Sequence, residues 1–284
     1  MEPEQGASLG LCLSGNSVYY AVSQGNSRFS RIGQAEFQFS AAQAVHEDAE
    51  ASDSVRTVLQ RLIKDYGCRR VRLVLDPSSE VWASVAQSVY AEPAERDAYL
   101  AALGEHIPKN ELEPTWFPLS NRDYRLLAIR NRALVRRYEA LVQPTVLDDV
   151  LSGFEAGIRW SLHSKMKGSF LVLQFVGNRL VVSSLIVGKL RGATHIAFVN
   201  DADLPFLWLH HAQYLHWMRG IHDQVIVFGT EASSRFERLR PYIDPTVAAV
   251  FIRRPEDMKI SVDDLTYGFD VSEAWPAVLA ALQV

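Results

Sequence analysis

Cysteine is scarce in this chain. Cys12 and Cys68 are the only two in 284 residues, and they lack CxxC spacing. That argues against a disulfide-built scaffold or a zinc knuckle, and the expected setting is reducing and cytoplasmic. Long apolar runs are also missing. The longest candidate, "FLVLQFVGNRLVV", is interrupted at Gly177-Asn178-Arg179, so no membrane-spanning helix is expected. No basic-then-apolar secretory leader is read at the N terminus. Charge of one sign is lacking as well: 29 Lys and Arg against 33 Asp and Glu leave a net charge of −4. Nothing there drives binding to nucleic acid or to an anionic membrane. What remains is 48% hydrophobic and 22% charged, the balance of a globular protein with one large domain or two of ordinary size.

Strand patterns come first, at Leu9–Leu13, Val18–Val22 and Ala35–Phe39, punctuated by Gly15-Asn16 and Gly25-Asn26. Residues 41–53 read as a polar loop. A helix over Ser54–Tyr66 carries Val55, Val58, Leu59, Leu62 and Ile63 on one face and ends at Gly67. "VRLVLDP" is a buried strand stopped by Pro77, and "EVWASVAQSVY" a second strand. "PAERDAYLAALGEHI" is a helix with proline in its first turn, "YRLLAIR" a strand, and "NRALVRRYEALV" a helix opened by Asn131. "TVLDD" is a short strand and Leu151–His163 a helix.

The pattern then restarts. "FLVLQFVGNRLVVSSLIVGKLRGATHIAFV" gives three strands, "ADLPFLWLHHAQYLHWMRGI" one long helix, and "QVIVFG" a strand. "SSRFERLRPY" is a helix with Ser234 and Glu237 at capping-box spacing, "TVAAVFI" a strand, and "SEAWPAVLAAL" a C-terminal helix. Three meandering strands followed by alternating helix and strand thus occur twice. Gly15-Asn16 aligns with Gly177-Asn178, Leu13 with Phe175, Leu11 with Leu173, Val18 with Leu180, Tyr20 with Val182, and Cys12 with Gln174. The expected fold class is α/β: two β-β-β-α-β-α halves, residues 1–150 (with the C-terminal helix 272–284) and residues 165–271, flanking a cleft.

A duplicated unit of this kind resembles the actin, Hsp70 and sugar-kinase superfamily, whose fold is ribonuclease H-like and which binds ATP between its halves. "LVLDPSSEVWASVA", "AERDAYLAALGEHIP", "YRLLAIRNRALVRRYEALV" and "TVLDDVLSGFEAG" resemble the PilM family of type IV pilus assembly and its type II secretion relatives. The likeness is nearest to uncharacterised bacterial proteins with this actin-like fold. It lies in element order and apolar pattern over nearly the whole chain.

The resemblance places an aspartate at the end of each half's first strand, followed by small residues whose backbone N–H groups hold phosphate. Mg²⁺ takes hard oxygen ligands, and backbone approaches phosphate only where side chains are small. Here those aspartate positions hold Cys12 and Gln174, and a thiol and an amide are poor magnesium ligands. The phosphate positions implied by the resemblance are Ser14, Gly15 and Asn16 in the first half and Gly177 and Asn178 in the second. Gly229 stands at the adenosine position, where Phe228 replaces a glycine; by its context alone Gly229 reads as an ordinary strand-to-helix turn. No cofactor is therefore expected, ATP being the alternative.

Other constellations carry less. His210, His211 and His216 lack the i, i+4 spacing of helical metal ligands. Arg130, Arg132, Arg136 and Arg137 read as a solvated helix face. Gly188-Lys189 lacks the residues of a phosphate-binding P-loop. Asp148-Asp149 and Asp263-Asp264 read as helix caps or surface charge. The resulting expectation is a non-catalytic binding or scaffold protein that grips a peptide or protein near Val81–Ala86 and Trp116–Arg130, as the resemblance implies. The rival is an ATP-dependent switch with displaced catalytic groups, for which Asp76 is the best remaining carboxylate.

Overall fold

The computed structural model describes residues 7–282 apart from 26, 48, 266, 267 and 269. The first strands are β1 (Ser8–Ser14), β2 (Ser17–Gly25), β3 (Arg28–Glu36) and β4 (Arg70–Val74). Then come β5 (Glu80–Ala86), β6 (Leu112–Pro118), β7 (Tyr124–Asn131) and β8 (Val146–Leu151). The rest are β9 (Ser169–Val176), β10 (Arg179–Ile186), β11 (Lys189–Ala197), β12 (Gln224–Gly229), β13 (Ala248–Phe251) and β14 (Ser261–Leu265). Helices are α1 (Ala41–Glu47), α2 (Ala49–Asp65), α3 (Gln87–Ala91), α4 (Pro93–Leu103) and α5 (Arg132–Val142). They continue with α6 (Glu155–Ser164), α7 (Leu204–Tyr214), α8 (Ala232–Leu239) and α9 (Trp275–Ala281).

The chain forms two compact units. One is built from Met1–Asp76, Ala133–Ser164 and Ile252–Val284, the other from Pro77–Arg132 and Lys165–Phe251. The expected halves, 1–150 and 165–271, share the two strand patterns with these units, but Pro77–Arg132 falls in the unit of the second pattern and residues 252–271 in that of the first.

The first unit holds a six-stranded sheet in the order β14-β3-β2-β1-β4-β8. Alternate residues Leu9, Leu11 and Leu13 of β1, Val18, Tyr20 and Val22 of β2, and Val71 and Leu73 of β4 pack against Val55, Leu59 and Ile63 of α2 and Leu134, Tyr138 and Leu141 of α5. This is the period of two meeting the period of 3.6. The opposite face of β1 carries Gly10, and a Cβ there would lie 1.9 Å from the Ala277 carbonyl oxygen. Glycine is thus what lets α9 lie directly on the sheet. Every residue of α9 is buried, as expected of a helix that is apolar all round. The end of α9 is held by two arginines. Arg72 donates to the Ala280 and Leu282 carbonyls and Arg159 to the Leu282 carbonyl, while Asp148 and Asp149 hold the two guanidiniums. A bulge between β4 and β8 pairs Val71 with Leu147 and Arg72 with Asp149. It leaves Asp148 as the extra residue, so the acidic pair anchors the C-terminal helix rather than capping a helix start.

The second unit repeats the arrangement in a five-stranded sheet, β11-β10-β9-β12-β13. Leu171, Leu173 and Phe175 of β9, with Val225 and Val227 of β12, pack on Leu204, Trp208 and Ala212 of α7 and Phe236 and Leu239 of α8. The strand order matches β3-β2-β1-β4-β8 element for element. The alignment inferred from the turns reappears in the ladders. Leu13 pairs with Val18 as Phe175 pairs with Leu180, and the second-to-third-strand ladder shifts register after Val22 in one sheet and after Ser184, its counterpart, in the other. This unit also contains a small antiparallel sheet, β5-β7-β6, backed on one face by α3 and α4 through Val85, Leu127, Ile129, Leu100 and Trp116.

Several boundaries differ from expectation. Residues of the stretch read as a polar loop, 41–53, form α1 and the start of α2. Ala41, Ala44 and Val45 bury one face there, a core contribution that short alanine-rich turns hide from hydropathy. The third strand begins at Arg28 rather than Ala35 because the register shifts spoil its alternation. Gly25 has the left-handed φ of 89° a turn requires; Asn26 lies outside the described residues. "QSVYA" turns from strand to helix α3, and α6 starts at Glu155 rather than Leu151. Helix α7 stops at Tyr214, after which His216–Arg219 form a separate 3-10 turn. Ser234 lies inside α8, where its hydroxyl donates to the Glu231 carbonyl, so the capping box does not form. Strand β14 forms although Asp is depleted in strands, and its Asp263 and Asp264 pair with Arg28 and Arg31 of β3.

Candidate functional site

The two glycine turns are built alike. Ser14 pairs with Ser17 and Val176 with Arg179, which closes two-residue loops at Gly15-Asn16 and Gly177-Asn178. Gly15 and Gly177 have φ of 55° and 51°, the left-handed conformation such hairpins demand. A Cβ on Gly15 would meet nothing within 4 Å, so glycine serves the turn conformation there and not a close approach. Asn16 accepts from the Phe37 amide at 2.8 Å and Asn178 from the Phe198 amide at 3.1 Å, each through its carbonyl oxygen.

Their next partners differ. The Gly15 carbonyl accepts from the Ala41 amide at 2.9 Å and the Ser40 hydroxyl at 3.3 Å, which ties the turn to the start of α1. The Gly177 carbonyl accepts from Arg235 Nη1 at 2.7 Å. Arg235 is buried, ion-paired with Asp201 at 3.2 Å and Glu231 at 3.0 Å, and its guanidinium lies 5.0 Å from the Phe198 ring centre. One α8 side chain thereby clamps the second turn. Sequence reasoning missed Arg235; the signal was an arginine beside Phe236 on an otherwise amphipathic helix.

Cys12 and Gln174, which the alignment made equivalent, hold matching places. Cys12 sits between Tyr19 of β2 and Val74 of β4, and Gln174 between Val181 of β10 and Phe228 of β12. They are 3% and 2% exposed. Burial first, and the negative charge of Asp76 second, push the Cys12 thiol up to about 12. A thiol held protonated is neither nucleophile nor metal ligand. Asp76, half-buried just beyond β4, also holds the Tyr138 proton more tightly, an effect secondary to burial. Gly229 has φ of 101°, and a Cβ there would lie 2.0 Å from the Phe175 carbonyl oxygen. That oxygen accepts from the Thr230 amide, so the glycine serves a close strand-to-strand approach. Phe228 is fully buried.

The small sheet carries the other expected site. Val81–Ala86 lies on β5, an outer strand, and Trp116–Arg130 spans the end of β6 and most of β7. Arg130 is not part of a solvated helix face: it is buried and paired with Glu80 at 2.6 Å. Trp82 donates its indole N–H to Glu80 at 2.9 Å and meets His195 of β11 edge-on at 4.9 Å. The Tyr90 ring lies against Trp116 at 4.9 Å and under Arg125 at 4.1 Å. Ser84 is exposed on β5. On β6 Pro114 and Pro118 are exposed, and prolines on an outer strand direct their missing N–H groups away from the sheet. The other edge strand, β5, carries no proline and lies beside β11.

The remaining candidates do not assemble. No group of three or more His, Cys, Asp or Glu is arranged for a metal ion among the described residues. Arg132, Arg136 and Arg137 are exposed on α5. Gly188, with φ of 72°, turns β10 into β11. A cavity of about 720 Å³ is lined by Glu139, Gln143, Pro144, Thr145, Val146 and Leu147, none of them a residue singled out from sequence. No helix among the described residues is long and apolar enough to cross a membrane.

No protein-family model and no curated protein matches the sequence. Solved structures do match its fold. The PilM–PilN type IV pilus biogenesis complex includes a chain with 12% identity, covering 98% of this chain and 99% of that one, at a TM-score of 0.66. A Bacteroides thetaiotaomicron protein with an actin-like ATPase fold matches at 11% identity over 87% and 91%, with a TM-score of 0.53. The cytoplasmic domain of EpsL, an inner-membrane component of the Vibrio cholerae type II secretion system, matches at 11% identity over 98% and 97%, with a TM-score of 0.50. The chain has the actin-like ATPase fold.

Proposed function

We propose that this protein is a non-catalytic, cytoplasmic binding or scaffold protein. In this reading its ATP apparatus has degenerated and it grips a peptide or protein partner on the β5-β7-β6 sheet. The observation that carries the reading is the pair Cys12 and Gln174: two buried, uncharged side chains at the positions where the resemblance places carboxylates. The fold shared with PilM, solved together with PilN, and with the EpsL domain supports a protein partner. An extended segment adding to the β5 edge supplies the mechanism, with main-chain hydrogen bonds for affinity and side-chain pockets for specificity.

A photo-crosslinking side chain at Ser84, compared with the same group at Asn16 and Asn178, tests this in cell extract, with circular dichroism as the folding control. Crosslinks to one protein from Ser84, unchanged by Mg-ATP, are expected. Crosslinks only from the two turns, and only with nucleotide, would overturn it. That outcome would favour a second reading, an ATP switch with displaced groups, whose one specific support is the charge of Asp76 beside Cys12.

A further inference from the structure

Helix α7 contains eleven residues and none of them is Asp, Glu, Lys or Arg. Leu204, Trp208 and Ala212 face the core. The opposite face should be polar, yet Phe206 and Tyr214 are each 71% exposed and Leu209 37%. Phe206, His210 and Tyr214 form an i, i+4 ladder, with ring centres 6.3 Å and then 5.5 Å apart. An apolar stripe of this kind on a solvent-facing helix marks an interaction surface.

The ends of the helix indicate what covers it. Exposed Asp203 precedes it, and exposed His216 and Arg219 follow it. We infer that α7 is the interface with a second copy of this chain, two α7 helices packing antiparallel about a two-fold axis near His210. That register sets Phe206 against Tyr214 of the second copy and turns Asp203 toward the second copy's His216–Arg219 segment, twice over. It also opposes the two helix macrodipoles. Aromatic ends of similar size and flanks of opposite charge make the stripe self-complementary, which is what a closed two-fold pair requires. A helix about 16 Å long presents less than the roughly 800 Å² per partner of a standard interface, so the dimer forms in the micromolar range and depends on concentration.

Sedimentation equilibrium of the full chain, from low to high micromolar, tests this. Dimer should accumulate with concentration. Phe206→Glu and Tyr214→Glu should each weaken association about tenfold or more with no change in melting temperature, since both side chains are exposed. Asp203→Lys and Arg219→Glu should each weaken self-association, and an equimolar mixture of the two should recover it, because both cross-pairs then become opposite in charge. A chain that stays monomeric throughout, or a dimer indifferent to Phe206→Glu, overturns the proposal. Failure of the mixture to recover association overturns the antiparallel register.

Discussion

The two sheets are the same frame filled differently. Ladder for ladder, β1–β4 and β9–β12 superpose in register, down to a shift after the same residue of the second strand. Where the first sheet has Gly10 under the Ala277 carbonyl, the second has Val172. Where the first turn is tied by backbone to α1, the second is clamped by Arg235. At Cys12 and Gln174 both sheets carry neutral side chains. Duplication has preserved what the backbone needs, namely left-handed turns and strand order, and has let the packing on each sheet diverge.

Breaking the frame where it is most specialised gives the largest effect. Gly10→Val drives side-chain atoms into the α9 backbone and should cost about 3 kcal/mol or more. Val172→Ala at the equivalent site loses about 1.6 kcal/mol of burial. Urea denaturation of both variants measures the gap, and equal losses would remove the distinction between the sheets.

The turns come next. Arg235→Met leaves Asp201, Glu231 and the Gly177 carbonyl without their cation and should destabilise by about 2 kcal/mol. Ser40→Ala at the first turn should cost about 1 kcal/mol. The same denaturation assay reads both, and a smaller loss for Arg235→Met than for Ser40→Ala would show that the clamp is idle.

A further contrast titrates. Ser184 meets buried His222 at 2.9 Å, whereas Val22, its counterpart, is apolar. Burial, with nearby Arg191, lowers His222 from 6.5 to about 4. Between these values the unfolded chain binds the proton and the folded chain does not, so stability falls as pH drops through that window. His222→Gln should flatten this part of the pH–stability curve; an unchanged slope would exclude His222 as its source. Least is expected of the surface pair Arg28–Asp263. Asp263→Asn should shift stability by no more than about 0.5 kcal/mol, and a larger loss would mean that β14 depends on it.

The repeat was legible because hairpin turns need glycine at fixed offsets, and "GN" appears at both. Alternation also revealed the strands that face a helix. What escaped was set by distant neighbours. Gly10 inside "LGLCL" signals a close backbone approach, but nothing local says that α9 makes it. Asp148 and Asp149 looked like surface charge until a bulge and two arginines turned them toward the α9 end. Arg130 looked solvated until Glu80 buried it. Strand β14 escaped because its aspartates suit an exposed edge strand and not a buried one.

The proposed function requires that the turns at Gly15-Asn16 and Gly177-Asn178 do not serve Mg-ATP. Thermal unfolding with and without ATP, each with Mg²⁺ or a chelator, tests it most directly. A working site saturated at a hundred times its dissociation constant would add about 2.7 kcal/mol of stability. No magnesium-dependent rise in Tm is expected. A rise of several degrees that requires Mg²⁺ and disappears in Asp76→Ala would contradict it.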